Sequence, residues 1–273
     1  MDKICVNSFS LSRELPNYLF PQYGGNKITI LEFPKICAEE IGINDVELCQ
    51  MQFPFMEMDY IEKMKLSLKD SNVNVTNICV DLGTTSEPNP VKRKEEFEII
   101  KKWFSIARNL GSPSIRVNPD SPLPGAKIDS MEKALQRAIE GYKELAVTAK
   151  ETGIKLLVEN HGPGMTKNPD FIIKIIEEVG PEIMGTIPDL GNAILFPVEI
   201  REEGIRKMCK YASIIHAKTA PSEGGEKFMK PYIDIVKKTG FNGFYSIELP
   251  PMGNYDQREG IKKLATIVRK LLE

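Results

Sequence analysis

KLLVENHG, residues 155–162, is a short apolar run that ends on a glutamate, an asparagine and a histidine. Three later stretches share its build: MGTIPDLGN (184–192), SIIHAKT (213–219) and FYSIELP (244–250), which carry Asp189, His216 and Glu248. Together with Glu159 these residues recur about thirty positions apart, the length of one strand-plus-helix unit. If the runs are successive parallel strands, all four side chains reach the same rim of a barrel. Carboxylates and an imidazole are hard or borderline ligands for a divalent ion, so the spacing suits a mononuclear metal site. A strand-end glutamate by itself also reads as an ion-pair partner, and a single histidine as a hydrogen-bonded core group. Four such residues in register are harder to reduce to either.

Working outward, the same alternation runs through the chain. Strands are predicted within ICVNSFS (4–10), DVELCQMQF (45–53), VNVTNICVD (73–81) and SIRVNPD (114–120), followed by KLLVENH (155–161), MGTIPDL (184–190), SIIHAKT and FYSIELP. Several are almost continuously apolar, as parallel strands buried on both faces must be. Between them lie amphipathic segments. Residues 92–110 carry Phe97, Ile100, Trp103, Phe104 and Ala107 at helical steps, with Gly111 as a C-terminal cap. Helices are predicted likewise over 130–150, opened by Asp129 and Ser130 and closed by Gly153, and over 169–179 and 256–272. Eight strands, each followed by a helix, make an α/β fold of the (β/α)₈ TIM-barrel type, with residues 1–273 as one domain. The proline-rich loops 82–90 and 118–127 follow strands three and four, on the catalytic rim of such a barrel. They are read either as walls of a pocket or lids over it, or as stiff surface connections.

Composition narrows the function. The chain has 273 residues, 41% of them hydrophobic and 27% charged, and a net charge of −2. That balance gives no electrostatic reason to expect a nucleic-acid partner. No stretch has membrane-spanning length, and the start, MDKICVNSFSLSRE, lacks the apolar core of a signal peptide. The five cysteines are odd in number and form no C-x-x-C pair, which points to reduced thiols and a cytoplasmic setting.

At the level of motifs the chain resembles the xylose isomerase-like superfamily, and within it the sugar isomerase/epimerase branch with ketose 3-epimerases and inosose dehydratases. The resemblance rests on E-N-H at Glu159-Asn160-His161, D-x-G-N at Asp189-Leu190-Gly191-Asn192, H-x-K at His216-Ala217-Lys218, and G-F-x-G at 240–243 leading to Glu248. It implies that Glu159, Asp189, His216 and Glu248 hold one divalent ion, manganese first, with magnesium, cobalt and zinc as the other candidates. It also implies that Glu159 and Glu248 exchange a proton with the substrate while ligating the ion. Such chemistry needs a cation that polarises a carbonyl and a carboxylate that removes the adjacent proton.

His161, Lys218, Arg116 and Asn192 are the candidate substrate contacts. Arg116 and Lys218 could receive an anionic group, and arginine's fork suits a phosphate or carboxylate better. The expected partner is therefore a small sugar or sugar phosphate, with neither nucleic acid nor membrane involved and homo-oligomerisation allowed. The chain departs from the ketose 3-epimerases at Asn192, where they carry histidine. It has no arginine between residues 217 and 230, and Thr219 stands where many relatives have aspartate. Other readings are a dehydratase using the same ion, a non-catalytic sugar-binding barrel, and an endonuclease IV-type nuclease. The last needs a zinc cluster rich in histidine, and this chain has two histidines.

Overall fold

Each of the eight apolar runs forms one strand. The computed structural model describes residues 3–120, 130–162, 164–251 and 253–273. The strands are β1 (Ile4–Asn7), β2 (Asp45–Cys49), β3 (Asn74–Val80), β4 (Ser114–Val117), β5 (Lys155–Glu159), β6 (Met184–Ile187), β7 (Ile214–Lys218) and β8 (Phe244–Glu248). All pair in parallel, in the order β6-β5-β4-β3-β2-β1-β8-β7.

The remaining seam, β6 to β7, is closed by bridges at Thr186–Ala212 and Asp189–His216. Pro188 has no N–H to offer a ladder, so β6 stops before it. Its carbonyl still accepts from the His216 N–H at 3.0 Å, and the His216 carbonyl accepts from Leu190 N at 3.0 Å. The sheet is thus a barrel whose last seam is held by these few bonds, and that seam carries two of the four candidate ligands.

The helices are α1 (Phe33–Lys35, continued as a π-helical turn over Ile36–Ile41), α2 (Met58–Asp70), α3 (Pro90–Asn109), α4 (Met131–Thr152), α5 (Pro169–Val179), α6 (Arg201–Cys209), α7 (Glu223–Lys238) and α8 (Gln257–Leu272). Successive helices from α2 to α8 pack side by side around the sheet. Their starts follow local chemistry. The side chains of Asn89, Ser130, Asn168, Ser222 and Asp256 each accept a hydrogen bond from a backbone N–H of the first turn. Gly153 closes α4 at φ 71°, a left-handed conformation that glycine adopts without strain. Phe97, Ile100, Trp103, Phe104 and Ala107 of α3 are all buried, as their spacing requires. All five cysteines are free and buried. Among the described residues no helix is long and apolar enough to cross a membrane.

Of the two readings of residues 82–90, the packed connection describes most of the loop: Thr84, Thr85 and Ser86 are buried, and Ser86 N donates to the Pro119 carbonyl at 3.1 Å, while Leu82 lines a cavity separate from the rim. Of the 118–127 loop, residues 121–127 lie outside the described residues, as does Asp129. The wall of the rim comes instead from the segment after β1. There the Asn7 side chain accepts from Phe9 N at 2.8 Å and turns the chain into a 3₁₀ helix over Ser8–Leu11. The following residues then lie over the barrel mouth, where Asn17, Phe20 and Tyr23 line a cavity.

Candidate metal centre

Side chains two residues apart on a strand share a face, and this periodicity stacks polar groups inside the barrel in two layers. Ser246 and Glu248 belong to one face of β8, and His216 and Lys218 to the facing register positions of β7. Leu157 and Ile214 lie two residues before Glu159 and His216, and with Ile187 they form a small apolar cluster beneath the rim.

The upper layer is the predicted set. Glu159 ends β5, Glu248 ends β8, and Asp189 sits two residues beyond β6. His216 Nδ1 lies 3.2 Å from Glu248 Oε2, 3.5 Å from Glu159 Oε1 and 3.9 Å from Asp189 Oδ2. One ligand atom each from Glu159, Asp189 and His216 falls within 4.8 Å of the others. All four side chains are buried. Glu159 Oε2, Asp189 Oδ2 and both ring nitrogens of His216 make no aligned hydrogen bond, the two carboxylate oxygens having only the ion-pair contacts described below. Buried carboxylate oxygens without donors are costly unless a cation meets them. Two lone-pair-bearing carboxylates, an imidazole nitrogen and Glu248 beside them fit a divalent ion in both charge and donor type.

The electrostatics agree with that fit. Burial pushes the Asp189 carboxyl up to about 8, and the neighbouring Glu159 and Glu248 charges add to the rise against the pull of Lys218. A nearby dication would reverse this by favouring the charged form. For Glu248, burial is outweighed by Lys218 and His216, which bring its carboxyl to about 2. Burial also opposes the charge on Glu159, yet His216 and Arg116 hold it well below the usual range.

The candidate ligands are braced from outside. Asn160 Nδ2 donates to the Asp189 carbonyl at 2.9 Å and its Oδ1 accepts from Asp189 N at 2.7 Å. Asn192 donates through its backbone N to Asp189 Oδ1 at 2.8 Å and through Nδ2 to Glu159 Oε1 at 3.2 Å. Asn192 thus touches two candidate ligands directly. Lys218 Nζ lies 2.6 Å from Glu248 Oε1 and 3.5 Å from Asp189 Oδ2. Arg116 is buried with its NH1 at 2.5 Å from Asp81 Oδ1 and its Nε at 3.2 Å from Glu159 Oε2. Both cations are therefore already paired with carboxylates, while each still lines the cavity. His161 lines it too, and burial lowers the pKa of its imidazole.

That cavity, about 160 Å³, opens onto Glu159 and Glu248 and is walled by Phe9, Phe20, Tyr23 and Met51. Gly191 explains the tight turn after Asp189. A Cβ there would stand 2.5 Å from the Lys218 carbonyl oxygen. Gly191→Ala is therefore expected to destabilise the protein by about 1–3 kcal/mol through forced separation of β6 and β7, measurable as a lower urea midpoint. An unchanged midpoint would show that this seam yields freely.

Sequence reasoning missed the lower layer. Glu47 on β2 is fully buried inside the barrel, with Asn7, Asn77, Cys79 and Ser246 around it and His216 Nε2 at 2.9 Å. Asp81, the partner of Arg116, was also passed over. A signal existed for Glu47: a lone acid within the apolar run V-E-L-C of a strand covered on both faces must find partners.

The family model of the xylose isomerase-like TIM barrel matches residues 37–271. No curated protein matches the chain. Among solved structures, an L-ribulose 3-epimerase is similar at 14% identity and a TM-score of 0.80, covering 100% of this chain and 95% of its own. A xylose isomerase-like TIM barrel protein from Mycobacterium smegmatis in complex with magnesium aligns at 17% identity and TM-score 0.73, with 100% and 98% covered. The IOLI protein with a bound zinc atom aligns at 15% identity and TM-score 0.74, covering 99% and 98%. At these identities the structural neighbours speak for the fold. The family match spans most of the chain, and the protein belongs to the xylose isomerase-like TIM barrel family.

Proposed function

We propose that this chain is a metal-dependent isomerase or epimerase of a sugar or sugar derivative. The observation that carries the reading is the buried set Glu159, Asp189 and His216, with Glu159 Oε2, Asp189 Oδ2 and His216 Nδ1 in no aligned hydrogen bond, gathered beside Glu248 where Glu159 and Glu248 line a small cavity. Manganese, magnesium, cobalt and zinc all suit these donors. When bound, such an ion polarises a carbonyl and the neighbouring hydroxyl, acidifying the proton between them.

The chain's own residues do the rest. Glu159 and Glu248 come from β5 and β8, on different sides of His216, so each can face one side of a bound carbon. One carboxylate removes the proton and the other returns one. Lys218 holds Glu248 Oε1 and Arg116 holds Glu159 Oε2, which leaves each acid one oxygen turned toward His216 Nδ1. Phe9, Phe20 and Tyr23 give the cavity an aromatic wall against which the carbon skeleton of a sugar can pack. A cavity of about 160 Å³ accords with a ligand the size of one sugar unit. The magnesium-bound and zinc-bound neighbours and the L-ribulose 3-epimerase support the same reading at the level of family.

The test is solvent exchange. Incubated with manganese and a panel of ketoses in D₂O, the protein is expected to place deuterium on the carbon next to the carbonyl of at least one. Exchange should cease with excess EDTA and return with added metal. Loss of a hydroxyl in place of exchange would mark a dehydratase. Failure to exchange any ketose or inosose with the ion bound would sink the catalytic reading.

A further inference from the structure

We infer that Glu47 is the positioning residue of the metal centre: from the inner layer of the barrel it keeps the proton of His216 on Nε2, so that Nδ1 offers its lone pair to the ion. The inference rests on the metal-centre reading above and adds a residue to it.

Two acidic groups compete for His216. Glu47, Cys79 and His216 bring ligand atoms as close together as Glu159, Asp189 and His216 do. Spacing therefore does not say on which side of the imidazole an ion would sit. Hydrogen bonding does. Glu47 Oε1 accepts from Asn77 Nδ2 at 2.7 Å and from Cys79 Sγ at 3.3 Å. Its Oε2 accepts from Asn7 Nδ2 at 2.8 Å and Ser246 Oγ at 2.7 Å. A cation at Glu47 would have to displace this ring of donors from four different residues. Burial also drives the Cys79 thiol well above its ordinary pKa, which keeps it a neutral donor and a poor ligand. On the other face no aligned hydrogen bond reaches Glu159 Oε2 or Asp189 Oδ2, which have only the cations Arg116 Nε at 3.2 Å and Lys218 Nζ at 3.5 Å beside them. The donors assign the ion to the Nδ1 side.

Glu47 then has one task left. His216 Nε2 lies 2.9 Å from Glu47 Oε2, its one carboxylate contact among the described residues, whereas Nδ1 faces three; neither nitrogen makes an aligned hydrogen bond, so a small rotation of the ring completes the bond from Nε2 to Glu47. An acceptor-only carboxylate can meet Nε2 only if Nε2 carries the proton. A metal-ligating histidine whose second nitrogen donates to a carboxylate is fixed in tautomer and ring orientation, and its ligating nitrogen becomes more basic. The donors on Glu47 come from β1, β3 and β8, so its position is tied to three other strands. Asn7 also donates to Glu248 Oε2 at 3.3 Å, joining the two layers.

The chain's two histidines make the test clean. With ¹⁵N-labelled histidine and saturating zinc, the wild-type spectrum is expected to show one imidazole ligated through Nδ1 with a protonated Nε2, its proton far downfield. Glu47→Gln should weaken zinc binding by roughly tenfold to hundredfold in calorimetry. The same variant should move the Nε2 proton upfield, a change that loosened packing alone does not produce. Ligation through Nε2 in the wild type would overturn the inference, and it is read without any variant, so a Glu47→Gln protein that fails to fold leaves the test standing. A folded variant with wild-type affinity and an unmoved Nε2 proton would overturn it too. In either case zinc still binds and the metal-centre reading survives. No zinc binding at all would remove both.

Discussion

Glu248→Gln, and separately Glu159→Gln, is expected to lower turnover by about three orders of magnitude or more while the fold stays intact. General acid–base catalysis by one positioned group contributes roughly 10²–10⁴ in rate. Both glutamates are also candidate ligands, so assays belong at saturating metal, with occupancy measured in parallel. At full occupancy the residual loss reports the missing proton acceptor rather than a missing ion. The two variants should differ in partial reactions. If the acids work on opposite faces of the substrate, each single variant can still exchange a proton on one face. An epimer that loses net turnover but keeps washing deuterium into one stereoisomer would identify which face the surviving acid serves. Wild-type turnover in either variant at full occupancy would sink the acid–base assignment.

The second large effect is on stability. Arg116→Met, measured by urea unfolding at neutral pH in EDTA, is expected to cost about 3–5 kcal/mol, because removing one member of a buried ion pair leaves the other charge unpaired. Here the guanidinium serves two buried carboxylates at once, Asp81 and Glu159. Burial works against the arginine's charge, but Asp81, Cys79 and Glu159 raise its pKa well above the ordinary value, so it is charged at any working pH. As a control, Lys143→Met removes the exposed pair with Glu178 on the surface and should leave the urea midpoint where it was. Equal stability of the two variants would show that Arg116 is not needed to balance the rim. A divalent ion should partly restore Arg116→Met, since it replaces the positive charge beside Glu159, but it does nothing for Asp81.

These two predictions divide along the line of what could be read in advance. The four candidate ligands were legible because each is a chemically distinctive residue at the end of an apolar run, and barrel topology carries every strand end to one rim. Glu159, Asp189, His216 and Glu248 could be named together from spacing and side-chain type. The roles of Arg116 and Asn192 were not legible in the same way. Arginine at the end of a strand suits a substrate anion or a buried carboxylate equally well, and only the approach of Asp81 and Glu159 shows where its charge is already used. Asn192 follows Asp189 by three positions, and only the turn at Gly191 brings its backbone N–H onto that carboxylate and its amide onto Glu159.

The wall of the cavity was similarly hidden. The proline-rich loops after strands three and four could be read as pocket walls or as stiff connections, yet the first packs down through buried threonines and Phe9, Asn17, Phe20 and Tyr23 line the cavity instead. A loop's composition reports its stiffness, and its direction depends on one side-chain hydrogen bond at its base, from Phe9 N to Asn7.

What the amino-acid order determined by itself was therefore periodic and local: eight apolar runs, the helices between them, their capping residues, and a ligand-type residue at four strand ends. Each follows from covalent spacing and from the need to bury apolar side chains, which act over a few residues. What only the tertiary structure decided was long-range and electrostatic. Glu47 meets His216 across 169 residues of chain and Ser246 across 199, Arg116 is claimed by Asp81 and Glu159, and His216 has one nitrogen for each layer. The energy of a buried charge depends on which groups surround it in three dimensions, and that sum exists only once the barrel has closed.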